Sequence, residues 1–388
     1  MSDKWHTLPF SEAVLINPPV LLKRGTLYPF VDMPTILPNS KTVRANESRV
    51  YDGGSSRFLA GDVLMARITP SLEHGKISRF VADDPNIIAH GSTEFIVIRG
   101  KPEVTDTDFA YYLTRWDYVR QYAISQMTGS SGRQRVPINS LQYIDVTIPP
   151  LPRQRAIAGI LGALDDKIEL NRRMNRTLES IARAVYDNLV RQAGDNAKIG
   201  TVGEEFDLTM GQSPPGSSYN EEGNGIPFFQ GRADFGFRYP ENRVYCTAPT
   251  RFAQAGDTLV CVRAPVGDVN MANEVCAIGR GIAAIRHKTG SRSYTYYAMK
   301  SLETDFARFE AEGTVFGSIN KVDFHNLIIA MPREEQVEQF EQTCYSIDQM
   351  IENNEKETKT LVSLRDTLLP KLMSGAVSVK VENERGIL

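Results

Sequence analysis

Two kinds of hydrophobic pattern divide this chain. Short apolar runs at 63–66 and 95–98, with counterparts at 258–262 and 282–285, are bounded by turn signals such as Asp52-Gly53-Gly54 and Ser213-Pro214-Pro215-Gly216, and they read as buried strands. Tyr and Leu recur at helical spacing over 106–123 and 292–311, which predicts a helix in each stretch. The second pattern is a long, narrow stripe with steps of three and four. It runs through Leu161, Leu164, Ile168, Asn171, Asn175, Leu178, Ile181 or Ala182, Val185 and Leu189. It returns through Val337, Phe340, Cys344, Ile347, Ile351, Asn354, Thr358, Leu361, Arg365, Leu368 and Leu372. A sustained stripe of this kind predicts coiled-coil helices, each about 40 residues and roughly 60 Å long. Each seam carries a mid-helix asparagine, Asn171 or Asn354, which would set register, and the simplest arrangement pairs the two helices antiparallel. Pro370 is expected to stop or kink the second.

The pattern is duplicated. Tyr28-Pro29-Phe30-Val31 matches Ile226-Pro227-Phe228-Phe229, and Ala60-Gly61-Asp62-Val63-Leu64 matches Ala255-Gly256-Asp257-Thr258-Leu259. Ile138-Asn139 matches Ile319-Asn320, and Pro150 followed by Gln154 matches Pro332 followed by Gln336. Four landmarks in one order imply a repeated unit. The expected fold is α+β, with two similar globular domains separated by two long antiparallel helices and an internal pseudo-two-fold repeat. The boundaries read as 1–149 for the first domain, 150–193 for a helical spacer, 194–331 for the second domain, 332–375 for a second spacer and 376–388 for a tail.

Composition narrows the class. The 388 residues hold 44 basic and 47 acidic side chains, 41% hydrophobic and 23% charged, which is ordinary for a globular chain with a core. No apolar run is long enough for a transmembrane helix, and the N-terminus lacks the apolar region of a signal peptide, so a cytoplasmic protein is expected. Four cysteines (Cys246, Cys261, Cys276, Cys344) form no CxxC pair and suggest reduced thiols. No segment is strongly basic, so any binding of nucleic acid must use local patches.

Catalytic motifs are missing where they would be looked for. Asn17-Pro18-Pro19-Val20 has the outline of an amino-methyltransferase motif, but Val20 cannot stack on a flipped base and no glycine-rich cofactor loop precedes it, so a proline-stiffened loop is the better reading. There is no Walker-type run, and the five histidines lack metal-ligand spacing. No catalytic residue, metal site or cofactor is therefore assigned to this chain.

The stretch Ile148-Pro149-Pro150-Leu151-Pro152-Arg153-Gln154-Arg155-Ala156-Ile157, followed by Ala163-Leu164-Asp165-Asp166-Lys167-Ile168-Glu169-Leu170-Asn171-Arg172-Arg173, resembles the central region of specificity subunits of type I restriction-modification systems. Leu368-Leu369-Pro370-Lys371-Leu372-Met373-Ser374-Gly375 resembles the end of their C-terminal region, and the duplicated layout is similar too. The resemblance implies a non-catalytic subunit that binds duplex DNA and reads a two-part asymmetric target, one half per target-recognition domain. It implies helices that set the spacer and dock two methyltransferase subunits for adenine N6, with restriction subunits able to join. S-adenosylmethionine would sit on the methyltransferase partner, and ATP and Mg on a restriction partner.

Within that expectation, the candidate DNA contacts are polar loops next to strands. Arg67, Thr69, Ser71, His74 and Lys76 follow the 63–66 run, and Arg263 follows its counterpart after a one-residue slip. Such side chains suit phosphates or guanine edges, although a solvated loop would look the same. Thr128, Ser130, Arg133, Gln134 and Arg135 form the most persuasive patch, and Thr314 lies in its cation-free counterpart. Gln230 and Arg232 follow the second Pro-Phe landmark; Arg280 and its counterpart near Ser92 are weaker candidates. Tyr219, Phe235, Phe237 and Tyr239 nearby read as core. The helix seams are assigned to Leu161, Leu164, Ile168, Asn171, Leu178, Ile347, Ile351, Asn354, Leu361 and Leu368. Two other readings stay open at this point: a single-chain methyltransferase or nuclease with its own recognition domains, and a tandem protein-interaction scaffold without a DNA role.

Overall fold

A computed structural model describes residues 4–38, 40–194, 198–311 and 317–380. The fold is α+β, with two similar globular domains and two long helices, Leu151–Ala193 (the central helix) and Glu334–Met373 (the C-terminal helix). The chain forms two compact units, residues 1–171 with 357–388, and residues 172–356, so each unit takes part of both helices.

In the first unit, His6–Pro9 pairs antiparallel with Asp145–Ile148 just before the central helix starts. A five-stranded sheet runs in the order Val14–Ile16, Phe95–Gly100, Val63–Ala66, Ile77–Phe80, Thr42–Val43. A four-stranded sheet runs Glu47–Val50, Leu27–Val31, Ile88–Gly91, Ser56–Leu59, with its two inner strands parallel. Phe95, Ile96, Val97 and Ile98 are all buried, which is why this strand reads as an unbroken apolar run without alternation. The second unit repeats the design. Lys198–Thr201 pairs with Ile328–Met331, Phe206–Met210, Ile282–His287, Thr258–Cys261 and Val269–Met271 form one sheet, and Ile226–Phe229 runs parallel to Cys276–Ile278 in the other.

The repeated landmarks have a physical cause. Gly61 and Gly256 sit at φ +97° and +89°, where a side chain is strained, and let the chain turn into the central strand of each domain. The next residue closes the turn. Asp62 accepts a bond from the Leu59 N–H at 2.8 Å and two from Arg99 at 2.6 and 2.7 Å. Asp257 accepts from the Gln254 N–H at 2.7 Å and from Arg286 at 2.7 and 2.9 Å. Each buried carboxylate is thus paired and hydrogen-bonded, the condition for burying a charge.

Several expectations need correction. The helices expected over 106–123 and 292–311 are each a pair, Thr107–Arg115 with Asp117–Ser125, and Arg292–Ser301 with Glu303–Ala311. Trp116 adopts extended backbone between the first two, and the change of direction lets Val119 and Ala123 join the core beside Tyr111 and Tyr112. Pro370 does not stop the C-terminal helix. It is exposed three residues from the end, where the missing N–H costs one hydrogen bond, and the helix ends before Gly375 at φ +76°. A Cβ on Gly375 would lie 3.1 Å from the Trp5 ring, so the end of this helix packs on Trp5.

In the first unit Leu161, Ile168 and Asn171 are buried along the seam, and Leu164, Leu361 and Leu368 are half-buried. Leu369, Leu372 and Met373 join the domain core with Ile157 and Leu161. The helices run antiparallel: Asp165 pairs with Arg365 at 2.8 Å, and Asn171 donates to Glu357 at 2.8 Å. In the second unit Ala182, Tyr186, Leu189, Val337, Phe340 and Cys344 are buried with the domain core. Ile351 is buried as well, Leu178 and Ile347 are half-buried, and Asn354 donates to Asn175 at 2.8 Å. Of the alternatives Ile181 and Ala182, the seam takes Ala182; Ile181 is exposed.

All four cysteines are buried and free. Burial raises the thiols of Cys261, Cys276 and Cys344 to about 12. At pH 8 these three are therefore expected to resist iodoacetamide in the folded chain and to react after unfolding in urea, as read by mass spectrometry. Rapid native labelling of any of them would contradict the packing described.

Candidate nucleic-acid interface

The candidate loops are scattered in sequence but converge in each unit. In the first, the Arg67 N–H donates to Glu94 O at 2.9 Å, the Thr69 N–H to Gln134 O at 3.0 Å and the Val136 N–H to Arg67 O at 2.8 Å. Loops 67–76, 92–95 and 128–135 thus form one hydrogen-bonded end of the domain. Thr128 and Arg135 exchange two backbone bonds at 2.9 and 3.0 Å, and the Arg133 N–H closes a turn onto Ser130 O at 3.0 Å. The tip formed by Thr128, Ser130 and Arg133 stands exposed, with Gln134 half-buried.

Not every candidate side chain is available. Arg135 makes a three-bond fork with Glu94 at 2.8–3.0 Å and also caps Arg133 O at 3.0 Å, so it braces the loop from below. Lys76 donates to Met33 O at 3.0 Å, and Thr69 donates to Met127 Sδ at 3.3 Å. Ser92 accepts the Glu94 N–H at 3.2 Å, a turn bond. His74 is exposed and Ser71 half-buried. The Arg67 Nε is buried with no partner. Asn17, from the discounted methyltransferase-like motif, has a structural job: its Oδ1 accepts the Val97 N–H at 2.8 Å and its own N–H returns to Val97 O at 2.7 Å.

The second unit builds the same frame with different side chains. The Val262 N–H donates to Gly281 O at 2.9 Å, Ala264 N–H to Gly317 O at 3.0 Å and Ile319 N–H to Val262 O at 3.0 Å. These bonds superpose the loops: Val262 stands where Arg67 does, and Arg263 where Ile68 does. The one-residue slip therefore means that Arg67 and Arg263 are not equivalent positions. The Gly279 N–H bonds Phe229 O as Ser92 bonds Val31 O, which puts Arg280 at the place of Thr93. Gln230, Arg263 and Arg280 are exposed, and the Arg280 N–H is held by Ser213 Oγ at 3.3 Å. Arg232 pairs with Asp268 at 2.9 Å. Thr314 lies outside the described residues. Tyr219 packs against Phe228 with ring centroids 4.7 Å apart and donates its hydroxyl to Pro214 O at 2.7 Å, and Phe235 packs on the core, whereas Phe237 is exposed.

Sequence reasoning missed Glu94 and Arg57, which enter only because distant segments become neighbours: Glu94 holds Arg135, and Arg57 lies on the strand paired with Ile88–Gly91. Ser213 stood in a stretch read only as a turn signal, and Asp268 enters as the partner of Arg232. Among the described residues no group of three or more His, Cys, Asp or Glu side chains could hold a metal ion.

Two copies of one frame, each ending in a loop cluster of guanidinium, amide and hydroxyl groups, define a paired recognition module. Comparison with known proteins shows what the chain is similar to. Residues 21–180 match the type I restriction modification DNA specificity domain. The chain is 28% identical over 345 residues to a putative type I restriction enzyme MjaX specificity subunit of Methanocaldococcus jannaschii, covering 84% of this chain and 80% of the relative. It is 23% identical over 434 residues to the HindI specificity subunit of Haemophilus influenzae, covering 87% and 92%. The crystal structure of a type I restriction-modification S subunit from M. genitalium aligns over 95% of this chain and 96% of its own with a TM-score of 0.57; at 16% identity this likeness concerns the fold. Over most of its length the chain is thus similar to specificity subunits of type I restriction-modification systems.

Proposed function

We propose that the chain is the DNA-reading subunit of a type I restriction-modification complex, with one half of a bipartite, asymmetric duplex target read by each domain. The observation that carries this reading is the frame built twice, with loops converging on the same end of each domain and different side chains mounted on it. A repeated frame gives a common way of meeting the duplex, and unlike side chains give two unlike half-sites. Residues 1–149 and 194–331 are the reading domains, 150–193 and 332–375 the helical spacers and 376–388 a tail. The exposed cations Arg133, Arg263 and Arg280, with Thr128, Ser130, Ser71, His74 and Gln230, face DNA. Arg67, Gln134 and Arg232 lie at the edges of the same clusters, and Thr69, Lys76, Ser92 and Arg135 shape the loops.

Specificity subunits are the non-catalytic members of their complexes, and the family implies no cofactor of this chain's own. In this proposal two methyltransferase subunits carry S-adenosylmethionine and modify adenine N6, and restriction subunits, where present, carry ATP and Mg. No described helix is long and apolar enough to cross a membrane, and we place the complex in the cytoplasm with its DNA.

Methylation mapping of DNA from cells expressing the methyltransferase partner, with and without this chain, tests the reading. A bipartite adenine-methylated motif that vanishes without this chain is the expected result; methylation at the same sites without it would refute the proposal. Half-sites one turn apart lie about 34–36 Å apart on one face of the duplex, within the reach of the helices. Inserting whole helical turns at matched points of both helices is therefore expected to lengthen the spacer and leave both half-sites unchanged. An unchanged spacer would count against the helices as its ruler.

A further inference from the structure

The first domain holds a cavity of about 220 Å³ beside the Arg67 loop, walled on one side by Phe95, Val97 and Ile138. Water's share of liquid volume is about 30 Å³ per molecule, so there is room for a tetrahedral anion and a few waters. Its polar lining comes from separate segments: Asn17, Ser55, Ser56, Arg57, Arg67 and Thr93. No carboxylate lines it. The one nearby in sequence, Glu94, is occupied by Arg135.

The hydrogen bonds sort this lining into groups already spent and groups left over. Ser56 donates to Phe95 O at 3.1 Å. Ser55 meets His90 Nδ1 at 2.7 Å while His90 Nε2 meets Arg49 O at 3.1 Å. A carbonyl only accepts, so Nε2 carries the proton, Nδ1 accepts, and the Ser55 hydroxyl is used up. Asn17 spends its Oδ1 on Val97, which leaves its amide NH₂. Among the described residues neither Arg57 nor Arg67 has an ion-pair partner, and the Arg67 Nε is buried and unbonded. A buried, unsatisfied charged donor costs free energy unless something arrives to bond it. What remains facing the cavity is therefore two guanidinium groups, an amide NH₂ and the Thr93 hydroxyl, all able to donate.

Resting on the DNA-reading function above, we propose that this cavity seats one backbone phosphate of the duplex, with Arg67 and Arg57 as its charged donors and Asn17 and Thr93 as neutral ones. Two cations without a counter-charge favour an anion over a neutral base edge, and forked guanidinium donors match phosphate oxygens. The second domain does not repeat this pair of guanidinium groups. In the second, Val262 stands at the position of Arg67, and strand pairing puts Phe252 at that of Arg57. The first domain would thus be anchored at this point and the second left to other contacts.

The test uses the complex with its methyltransferase subunits and measures affinity for target and scrambled duplexes across a salt series. Arg67→Gln and Arg57→Gln are each compared with the parent, and Arg57, being exposed, serves as the variant that leaves folding intact. Each substitution is expected to weaken both duplexes by the same factor, about tenfold. The slope of log K against log salt should become shallower by about 0.9 for the lost phosphate. Weakening confined to the target, with altered preference at one base pair, would overturn the proposal in favour of base reading. Unchanged affinity and slope for both variants would overturn it outright. Raised thermal stability of the free complex in inorganic phosphate at constant ionic strength, without any effect of either variant on DNA, would make the cavity a free-anion site and also overturn it. If the parent complex shows no salt-dependent duplex binding at all, the DNA-reading function itself fails, which is a separate result.

Discussion

Replacing Arg365 with Met is expected to cost the first unit about 3–5 kcal/mol, because it strands a buried carboxylate. The Arg365 side chain is fully buried and Asp165 nearly so, at 0% and 2% exposure, and they meet at 2.8 Å between the two helices. Arg365 also bonds Asp366 at 2.9 Å, and the Tyr112 hydroxyl donates to the second Asp165 oxygen at 2.8 Å. The cost comes from the partner left behind, not from the pair's net worth. Removing the whole network should therefore be nearly neutral. The combination Asp165→Leu, Arg365→Met and Tyr112→Phe removes both charges and the hydroxyl that would lose its acceptor, and it is expected to restore stability to within about 1.5 kcal/mol of the parent. A chain of two units need not unfold in one step, so a local readout is required. Hydrogen exchange of the Phe95–Gly100 strand supplies one. A single Arg365→Met variant with unchanged protection there would mean that water reaches Asp165 and that the seam is looser than described.

This network also marks where sequence reading stops. The stripe through Leu161, Ile168 and Asn171 was legible because helical spacing is a local property, and so was the repeat, because the Ala-Gly-Asp turn needs a glycine at positive φ and a carboxylate to close it. Arg365 appeared in the stripe as a stepping position, but Asp165, its partner, did not. Nothing local says that a charged residue between Leu164 and Ile168 faces inward; the reason lies on another helix far along the chain. The candidate loops follow the same rule. Their residue types were readable, whereas the use of Arg135 on Glu94 and of Lys76 on Met33 depends on which strands become neighbours. The break at Trp116 was hidden for a related reason, since helical spacing continues across it while the chain turns.

In the second unit the strand pair before the long helix puts Met331 where Ile148 stands in the first, so Asp348 takes the place of Asp165, and its cation comes from the reading domain instead of the other helix. Arg238 is fully buried. Its Nη1 donates to Asp348 at 2.7 Å and its Nη2 to the Tyr297 hydroxyl at 2.8 Å, and the guanidinium lies 4.0 Å over the Tyr296 ring. Glu179 of the central helix stands 3.7 Å away. Burial works against the charge, but Tyr296, Tyr297, Asp348 and Glu179 more than reverse this and hold the group above its ordinary value. One side chain therefore ties the reading domain to both long helices. Arg238→Met is expected to leave Asp348 without its cation, while Glu179 keeps Lys300 at 3.1 Å, and to destabilise this unit by about 3 kcal/mol. Protection of the Ile282–His287 strand should fall while that of Phe95–Gly100 in the other unit stays unchanged. Arg238→Lys keeps the charge but cannot reach Asp348 and Tyr297 with one rigid fork or lie flat on Tyr296, so it should recover only part of the loss. In the assembled complex the same Met substitution should relax sequence preference at the half-site read by the second domain and preserve it at the other. Equal relaxation at both half-sites would show that the domains do not read independently. Full recovery by Lys would show that Arg238 acts as a charge alone, without the directional bonds described.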